Sequence, residues 1–154
     1  MIPKNQILQQ MKNLKVYKAS AGSGKTFTLA VEYIRLLIID PFNYSHILAV
    51  TFTNKATGEM KDRIVSTLHG LAAGLPSVDD YLDKLSSRLK ENGYTYSEEY
   101  IRRQSQKALD LIIHDYSHFR IETIDAFFQS IIRVLARELN LTANLRVDLN
   151  QDEA

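Results

Sequence analysis

The sequence predicts an incomplete α/β fold in which a parallel sheet is interrupted by a helical insertion. Three short β-like runs are each followed by a helical pattern of apolar residues, and such strand–helix repeats are typical of parallel sheets with right-handed crossovers. A middle segment carries two helical patterns and no β-like run. With 154 residues, 45% of them hydrophobic and 24% charged, the composition matches one globular domain and excludes wholesale disorder.

The first strand–helix unit comprises the run Lys15–Ala19 and a helical pattern from Thr26 to Ile39. Its apolar positions recur at the three- and four-residue spacing of a helix face. We expect the helix to end at Asp40, because a residue that precedes proline, here Pro41, is pushed out of the helical region.

The second unit begins with His46–Phe52, which is too continuously apolar to have a face in water. Such a run is expected of a parallel strand that is covered on both faces. Asn54 is the expected cap of the following helix, because its side chain accepts hydrogen bonds from backbone N–H groups. One face of that helix carries the apolar residues Met60, Ile64 and Leu68.

The insertion follows as a loop of small residues, Gly70–Pro76, and two helical patterns, Val78–Glu91 and Ser97–Asp115, parted by Asn92 and Gly93. We expect it to stand off the sheet, with its apolar residues packed between the two helices or onto the helices of the sheet. These residues are Leu82, Leu85, Leu89, Ile101, Leu109 and Ile112.

The third unit is the run Phe119–Ile124 followed by an amphipathic helix, Asp125–Leu139. We therefore assign residues 1–69 and 116–154 to a partial α/β domain and residues 70–115 to an inserted helical subdomain.

Composition narrows the class of protein further. A net charge of +1 excludes a strongly basic protein that holds nucleic acid by charge alone, and the lack of cysteine excludes disulfides, thiolate catalysis and Cys-ligated zinc. We find no signal peptide and no apolar run near the roughly 18–20 residues of a membrane span. We therefore expect a soluble, cytoplasmic protein without a membrane partner.

The strongest motif lies between the first run and the first helix and matches the Walker A pattern, with alanine at the first glycine position. Gly22 and Gly24 can adopt positive φ, so that successive N–H groups close around an anion. Lys25 supplies an ammonium to the β- and γ-phosphates of ATP, and the Thr26 hydroxyl is a ligand for Mg²⁺. We predict that the phosphates are bound by Ala19, Ser20, Ala21, Gly22, Ser23, Gly24, Lys25 and Thr26.

A glycine-rich turn that precedes a helix by chance is the alternative interpretation of these eight residues. From average residue usage, the pattern arises in roughly one chain of this length in a hundred. Its position between a predicted strand and a predicted helix is the context that the motif requires, and this favours a P-loop that binds ATP.

Three further segments give the chain a family resemblance. Together with residues 19–26, Thr51–Met60 (TFTNKATGEM) resembles motif Ia, and Ile121–Gln129 (IETIDAFFQ) motif Ib, of superfamily 1 DNA helicases of the UvrD/RecB/AddA type. Leu145–Asp148 resembles a strand-like run that follows in RecB-type chains. The family usually has Ala and a variable residue where this chain has Thr57 and Gly58, and a glycine weakens a helix by up to about 1 kcal/mol.

The resemblance implies a RecA-like P-loop NTPase fold, with ATP hydrolysis that drives translocation on single-stranded DNA and unwinding. Lys25 is then catalytic and Thr26 is the metal ligand. The partners implied are single-stranded DNA and other subunits of a helicase–nuclease complex. Such a complex would act as an exonuclease in DNA repair. The expected DNA-binding residues are Thr51, Thr53, Asn54, Lys55, Thr123 and Phe127.

The residues themselves support DNA contacts at these positions. Thr51, Thr53 and Asn54 place hydroxyl and amide groups at the carboxyl end of a strand, where open α/β sheets bind ligands. Lys55 opens a helix, so its charge and the helix N-terminus can share one phosphate. Phe127 can stack on a base, although a phenylalanine at the start of an amphipathic helix is more often part of the core.

Two alternatives remain open from the sequence. The chain fits a self-contained P-loop protein without a DNA partner, either kinase-like or regulatory. The tyrosines at positions 81, 94, 96 and 100 suggest base stacking, but packing between the inserted helices is the favoured interpretation. The four histidines show no spacing that is typical of a metal site.

ATP turnover needs more than a phosphate cradle, since a carboxylate at the end of a second strand must hold Mg²⁺. Asp152 and Glu153 do not qualify, because no apolar strand runs into them. We expect these 154 residues to bind ATP without hydrolysing it, and to expose an apolar surface that favours self-association. Steady-state phosphate release checks this; DNA-stimulated turnover that Lys25→Ala abolishes would contradict it.

Overall fold

The computed structural model describes residues 24–138 of the chain. Short 3₁₀ turns occupy residues 41–45, 76–78 and 116–118. The predicted strand Lys15–Ala19 and the run Leu145–Asp148 lie outside the described residues. The regular elements within them are α1 (Lys25–Ile39), β1 (Ala49–Thr51), α2 (Asn54–Ala73), α3 (Asp79–Glu91), α4 (Glu98–His114), β2 (Ile121–Thr123) and α5 (Ile124–Glu138).

The two strands pair in parallel, with Ala49 opposite Ile121 and Thr51 opposite Thr123. Ala49 and Ile121 face the core, and Ile121 is buried. The prediction that the first of these strands is covered on both faces is wrong for the described residues. Side chains alternate along a strand, and Val50, on the opposite face from Ala49, is 47% exposed.

The middle of the chain is helical, as the sequence predicted, and no strand lies between residues 79 and 114. Helix α3 packs against α1, and α4 packs against α2 and α1. The apolar residues predicted for the inserted helices join a single core with those of α1 and α2, which places the insertion directly on the helices next to the sheet. The division into two domains stays a prediction. The inserted residues within this core are Leu85, Leu89, Ile101, Leu109 and Ile112, with Leu82 at its edge.

The predicted loop Gly70–Pro76 is shorter than expected, because α2 continues to Ala73. Gly74 ends the helix in the left-handed conformation, with φ of 66°, and the N–H of Leu75 donates to the carbonyl of Gly70 at 2.9 Å. A left-handed residue followed by such a bond is the usual way for a glycine to end a helix. Gly70 itself is buried, and a Cβ there would lie 2.6 Å from Val78. This glycine therefore serves close packing rather than a turn.

A polar cluster joins the end of α4 to the turn that precedes β1. The Tyr44 hydroxyl donates to Asp115 Oδ2 at 3.0 Å, and His118 Nδ1 lies 2.7 Å from Asp115 Oδ1. Hydrogen bonds from His118 and Ser117 hold the pKa of Asp115 below its usual value. The cluster links the segments that lead into the two strands.

Helix α5 packs chiefly against the two strands within the described part of the chain, and none of its side chains there is fully buried. Several apolar side chains of this helix are exposed, while the self-association that the sequence predicted stays a prediction. No described helix is long and apolar enough to cross a membrane. The exposed apolar residues of α5 are Phe128, Ile131, Ile132, Val134 and Leu135.

Gly58 provides a test of the second helix. It lies inside α2, and a Cβ at this position would meet no atom within 4 Å. We expect Gly58→Ala to raise the free energy of unfolding by about 0.5–1 kcal/mol, because alanine has less backbone entropy to lose in a helix. Urea denaturation measures this, with Gly74→Ala as the control that should destabilise, since φ is positive there. A lower stability of Gly58→Ala would contradict the position of α2.

Candidate nucleotide and nucleic-acid site

Both strands end at the same edge of the sheet, where Thr51 lies opposite Thr123. From β1 the chain enters α2 at Asn54, and from β2 it enters α5 directly at Ile124. Because the strands are parallel, both helices begin at this carboxyl edge. Open α/β sheets bind their ligands at this edge, next to the N-termini of the helices that follow.

Threonine side chains cap both of these helices. Thr53 Oγ1 accepts the N–H of Ala56 at 3.1 Å, and Thr123 Oγ1 accepts the N–H of Ala126 at 3.2 Å. The prediction that Asn54 caps the second helix is wrong, because Thr53 has the extended backbone of a cap residue and Asn54 is already helical. Each capping hydroxyl accepts one bond and keeps its own proton for a ligand.

Lys55 lies in the first turn of α2, and its side chain is 87% exposed. Its ammonium is 3.9 Å from Glu59, a carboxylate that is itself 59% exposed, and such surface pairs contribute little to stability. Asn54 beside it is also exposed. Both predicted contact residues are therefore accessible to a ligand at the edge of the sheet.

The described part of the phosphate-binding motif lies at the start of α1. Gly24 has φ of 76°, which confirms the left-handed conformation expected of it, and the N–H of Thr28 donates to its carbonyl at 2.9 Å. Lys25 and Thr26 are exposed, and no described side chain caps this helix. Its first N–H groups therefore have no capping acceptor among the described side chains and can donate hydrogen bonds to a bound phosphate. The other predicted residues, Ala19, Ser20, Ala21, Gly22 and Ser23, lie outside the described residues.

Comparison with known proteins gives the family. The profile of the UvrD/REP helicase N-terminal domain matches residues 3–154. The chain belongs to this family. The resemblance stated from its motifs is confirmed.

Two of the similar curated proteins are subunits of larger enzymes. The RecBCD enzyme subunit RecB of Escherichia coli strain K12 is 30% identical over 128 residues, which are 73% of this chain and 10% of the relative. One subunit of the ATP-dependent helicase/nuclease of Alkaliphilus metalliredigens is 44% identical over 50 residues, 32% of this chain and 4% of the relative. The chain thus spans about a tenth or less of the length of these relatives. No solved structure matches it at a significant level.

Aromatic residues near the edge differ in exposure. Phe127, the predicted contact, is partly buried, and its neighbour Phe128 is 56% exposed. Phe52 is 88% exposed, more than any other large apolar residue described, and lies between Thr51 and Thr53. Sequence reasoning missed Phe52 as a contact because it counted this residue in a covered strand. Its place directly after β1, at the carboxyl edge, is the signal that identifies it.

The tyrosines of the helical insertion make ring contacts, Tyr81 with Phe27 of α1 and the other three with one another, and of these Tyr94 is exposed. The rings of Tyr96 and Tyr100 stack at 4.4 Å, and Tyr94 stacks on Tyr96 at 5.6 Å. Tyr96 and Tyr100 are partly buried against the core, and burial raises the pKa of Tyr96. This arrangement supports the packing interpretation. Of the described residues, no cluster of His, Asp or Glu has the arrangement of a metal site.

Proposed function

We propose that this chain is the ATP-binding part of a DNA helicase, in which ATP hydrolysis drives movement along single-stranded DNA. One observation carries the proposal: the helices that begin at the two predicted ligand sites, α1 and α2, have an exposed lysine in the first turn. These residues are Lys25 and Lys55, and neither first turn contains an acidic residue.

The charge of these lysines is unfavourable for the helices themselves. The N-terminus of a helix carries about half a positive charge. A lysine there therefore destabilises the helix by about 0.3–1 kcal/mol, whereas an acidic residue would stabilise it by a similar amount. The two inserted helices follow the stabilising pattern, with acidic residues at Asp79 and Asp80 and at Glu98 and Glu99. Helix α5 also begins at the carboxyl edge but carries Asp125 in its first turn, so the contact proposed at its start rests on the Thr123 hydroxyl and Phe127 and not on a cation. An anion that binds at the starts of α1 and α2 offsets this cost, which supports a polyanionic ligand at both.

For the nucleotide, we propose that residues 19–26 bind the phosphates of ATP. Gly22 and Gly24 let the backbone close on them, Lys25 stabilises charge on the β- and γ-phosphates, and Thr26 is a ligand of Mg²⁺. The left-handed Gly24 and the uncapped start of α1 support this assignment. The bound Mg²⁺ would neutralise charge on the transferred phosphoryl group.

For DNA, we propose that the backbone of a single strand crosses the carboxyl edge of the sheet. Lys55 and the free hydroxyl protons of Thr53 and Thr123 are donors to phosphate oxygens, and Asn54 adds an amide. Bases stack on Phe52, with Phe127 at the neighbouring helix start; such stacking contributes about 1–3 kcal/mol per base. Of the contacts proposed from the sequence, this assignment leaves out Thr51, whose hydroxyl is hydrogen-bonded within the turn, and it adds Phe52.

The organisation of the whole protein is part of the proposal. We propose residues 1–69 and 116–154 as a partial RecA-like domain and residues 70–115 as an inserted helical subdomain. The similarity to subunits of helicase–nuclease enzymes supports other subunits of such a complex as partners, and a cytoplasmic location. The kinase-like or regulatory alternative is not favoured, because the family consists of helicases.

Nucleotide binding is tested by thermal or chemical unfolding with ATP or ADP and Mg²⁺. At 100 times its Kd, the nucleotide should add about 2.7 kcal/mol to the free energy of unfolding. Lys25→Ala should lose most of this gain, because the phosphates lose their cation. Lys55→Ala is the matched control and should keep it. An equal gain in the Lys25→Ala protein would overturn the assignment of the phosphate site.

DNA binding is tested by titration of fluorescent oligo-dT at several salt concentrations. We expect Lys55→Ala to weaken binding and to reduce the slope of log K against log salt by about 0.7, since one phosphate contact with single-stranded DNA is lost. Lys84→Ala, which removes an exposed lysine on α3, is the control of equal charge and should leave the slope unchanged. If both variants behave alike, the edge of the sheet does not bind DNA.

A further inference from the structure

A closed set of hydrogen bonds joins the end of β1 to the first turns of α2. Thr51 Oγ1 lies 2.6 Å from Thr57 Oγ1 and donates to the carbonyl of Thr53 at 3.1 Å. The same carbonyl accepts the backbone N–H of Thr57 at 3.0 Å. Thr57 thus holds the turn between strand and helix through both its backbone and its side chain.

The proton inventory of these hydroxyls fixes their roles. A threonine hydroxyl has one proton and two lone pairs. The one proton of Thr51 serves either the carbonyl of Thr53 or the hydroxyl of Thr57, since either hydroxyl can be the donor in the 2.6 Å bond. Thr51 then has no proton left for a phosphate, whereas Thr53 accepts from Ala56 and keeps its proton. Of the three described threonines at this turn, Thr53 is the exposed one with a proton to donate.

Burial divides the three threonines in the same way. Thr51 and Thr57 are partly buried, so water competes less for their mutual hydrogen bond than it would at the surface. Thr53 and Lys55 are exposed. The partly buried pair, Thr51 and Thr57, is therefore suited to fix the backbone, and the exposed pair, Thr53 and Lys55, is suited to contact a ligand.

We propose that Thr57 is a positioning residue for DNA binding, which acts through Thr51 to fix the turn that presents Thr53 and Lys55. The inference rests on the proposed function, since it concerns the same edge of the sheet. A side chain without a hydroxyl at position 57 cannot make the 2.6 Å bond to Thr51.

The test is the affinity for fluorescent oligo-dT of Thr57→Val, which keeps the branched shape and removes the hydroxyl, and of Thr57→Ser, which keeps the hydroxyl. We expect Thr57→Val to bind about two- to tenfold more weakly, as the loss of one hydrogen bond implies, and Thr57→Ser to bind like the unaltered chain. The salt slope of Thr57→Val should be unchanged because no cation is lost, in contrast to Lys55→Ala.

A double-mutant cycle with Thr51→Val separates positioning from a merely structural effect. If the two hydroxyls act as one unit, the double variant should bind no more weakly than either single variant. Urea denaturation identifies the conditions under which all variants are folded, and the affinities are compared there.

Several outcomes would overturn the inference. They are an unchanged affinity of Thr57→Val, additive losses in the cycle, or a Thr57→Ser protein as weak as Thr57→Val. The failure of the proposed function has a different signature. In that case the unaltered chain would not bind oligo-dT, or Lys55→Ala would bind like the Lys84→Ala control.

Discussion

The parallel pairing of β1 with β2 is the constraint on which the candidate site depends. Its register sets Thr51 opposite Thr123, so two segments separated by about seventy residues end at one edge. Parallel strands require a crossover between them, and here the crossover contains α2, α3 and α4. A register shift of one residue would turn the side chains of the shifted strand, Ala49 or Ile121, away from the core, so the inward position of both residues fixes the relative position of the two threonines.

The charge of the side chains in the first turn of a helix indicates whether they stabilise the helix or are available to bind an anionic ligand. Acidic residues complement the helix dipole at the starts of α3 and α4, which carry no proposed contact, and also at the start of α5, beside Thr123 and Phe127. Lys25 and Lys55 do the opposite at α1 and α2. Local rules fail most often at functional sites, and here both failures fall within motifs that the family uses.

The parallel pairing, the order of the elements and the family could be predicted from the sequence, because short apolar runs and motifs are local signals. The finer features depend on three-dimensional context. Thr53 rather than Asn54 caps α2, since both residue types cap well and only the backbone conformation decides between them. The exposure of Phe52 depends on which parts of the chain cover one face of β1. Gly70 resembles a loop residue in the sequence, and only the structure shows that Val78 packs against it.

The insertion supports the site although it contributes no predicted contact to it. Helix α2 has 20 residues and is therefore about 30 Å long, with its first turn at the edge of the sheet and its last at the insertion. Helix α4 packs along it, and a partly buried pair, Arg88 of α3 and Glu32 of α1 at 3.6 Å, ties the insertion to the helix of the phosphate site. Because well-packed cores resist small displacements, a shift of either inserted helix must move α1 or α2 with it. The starts of these two helices, where both polyanions are proposed to bind, are thus held by one shared core.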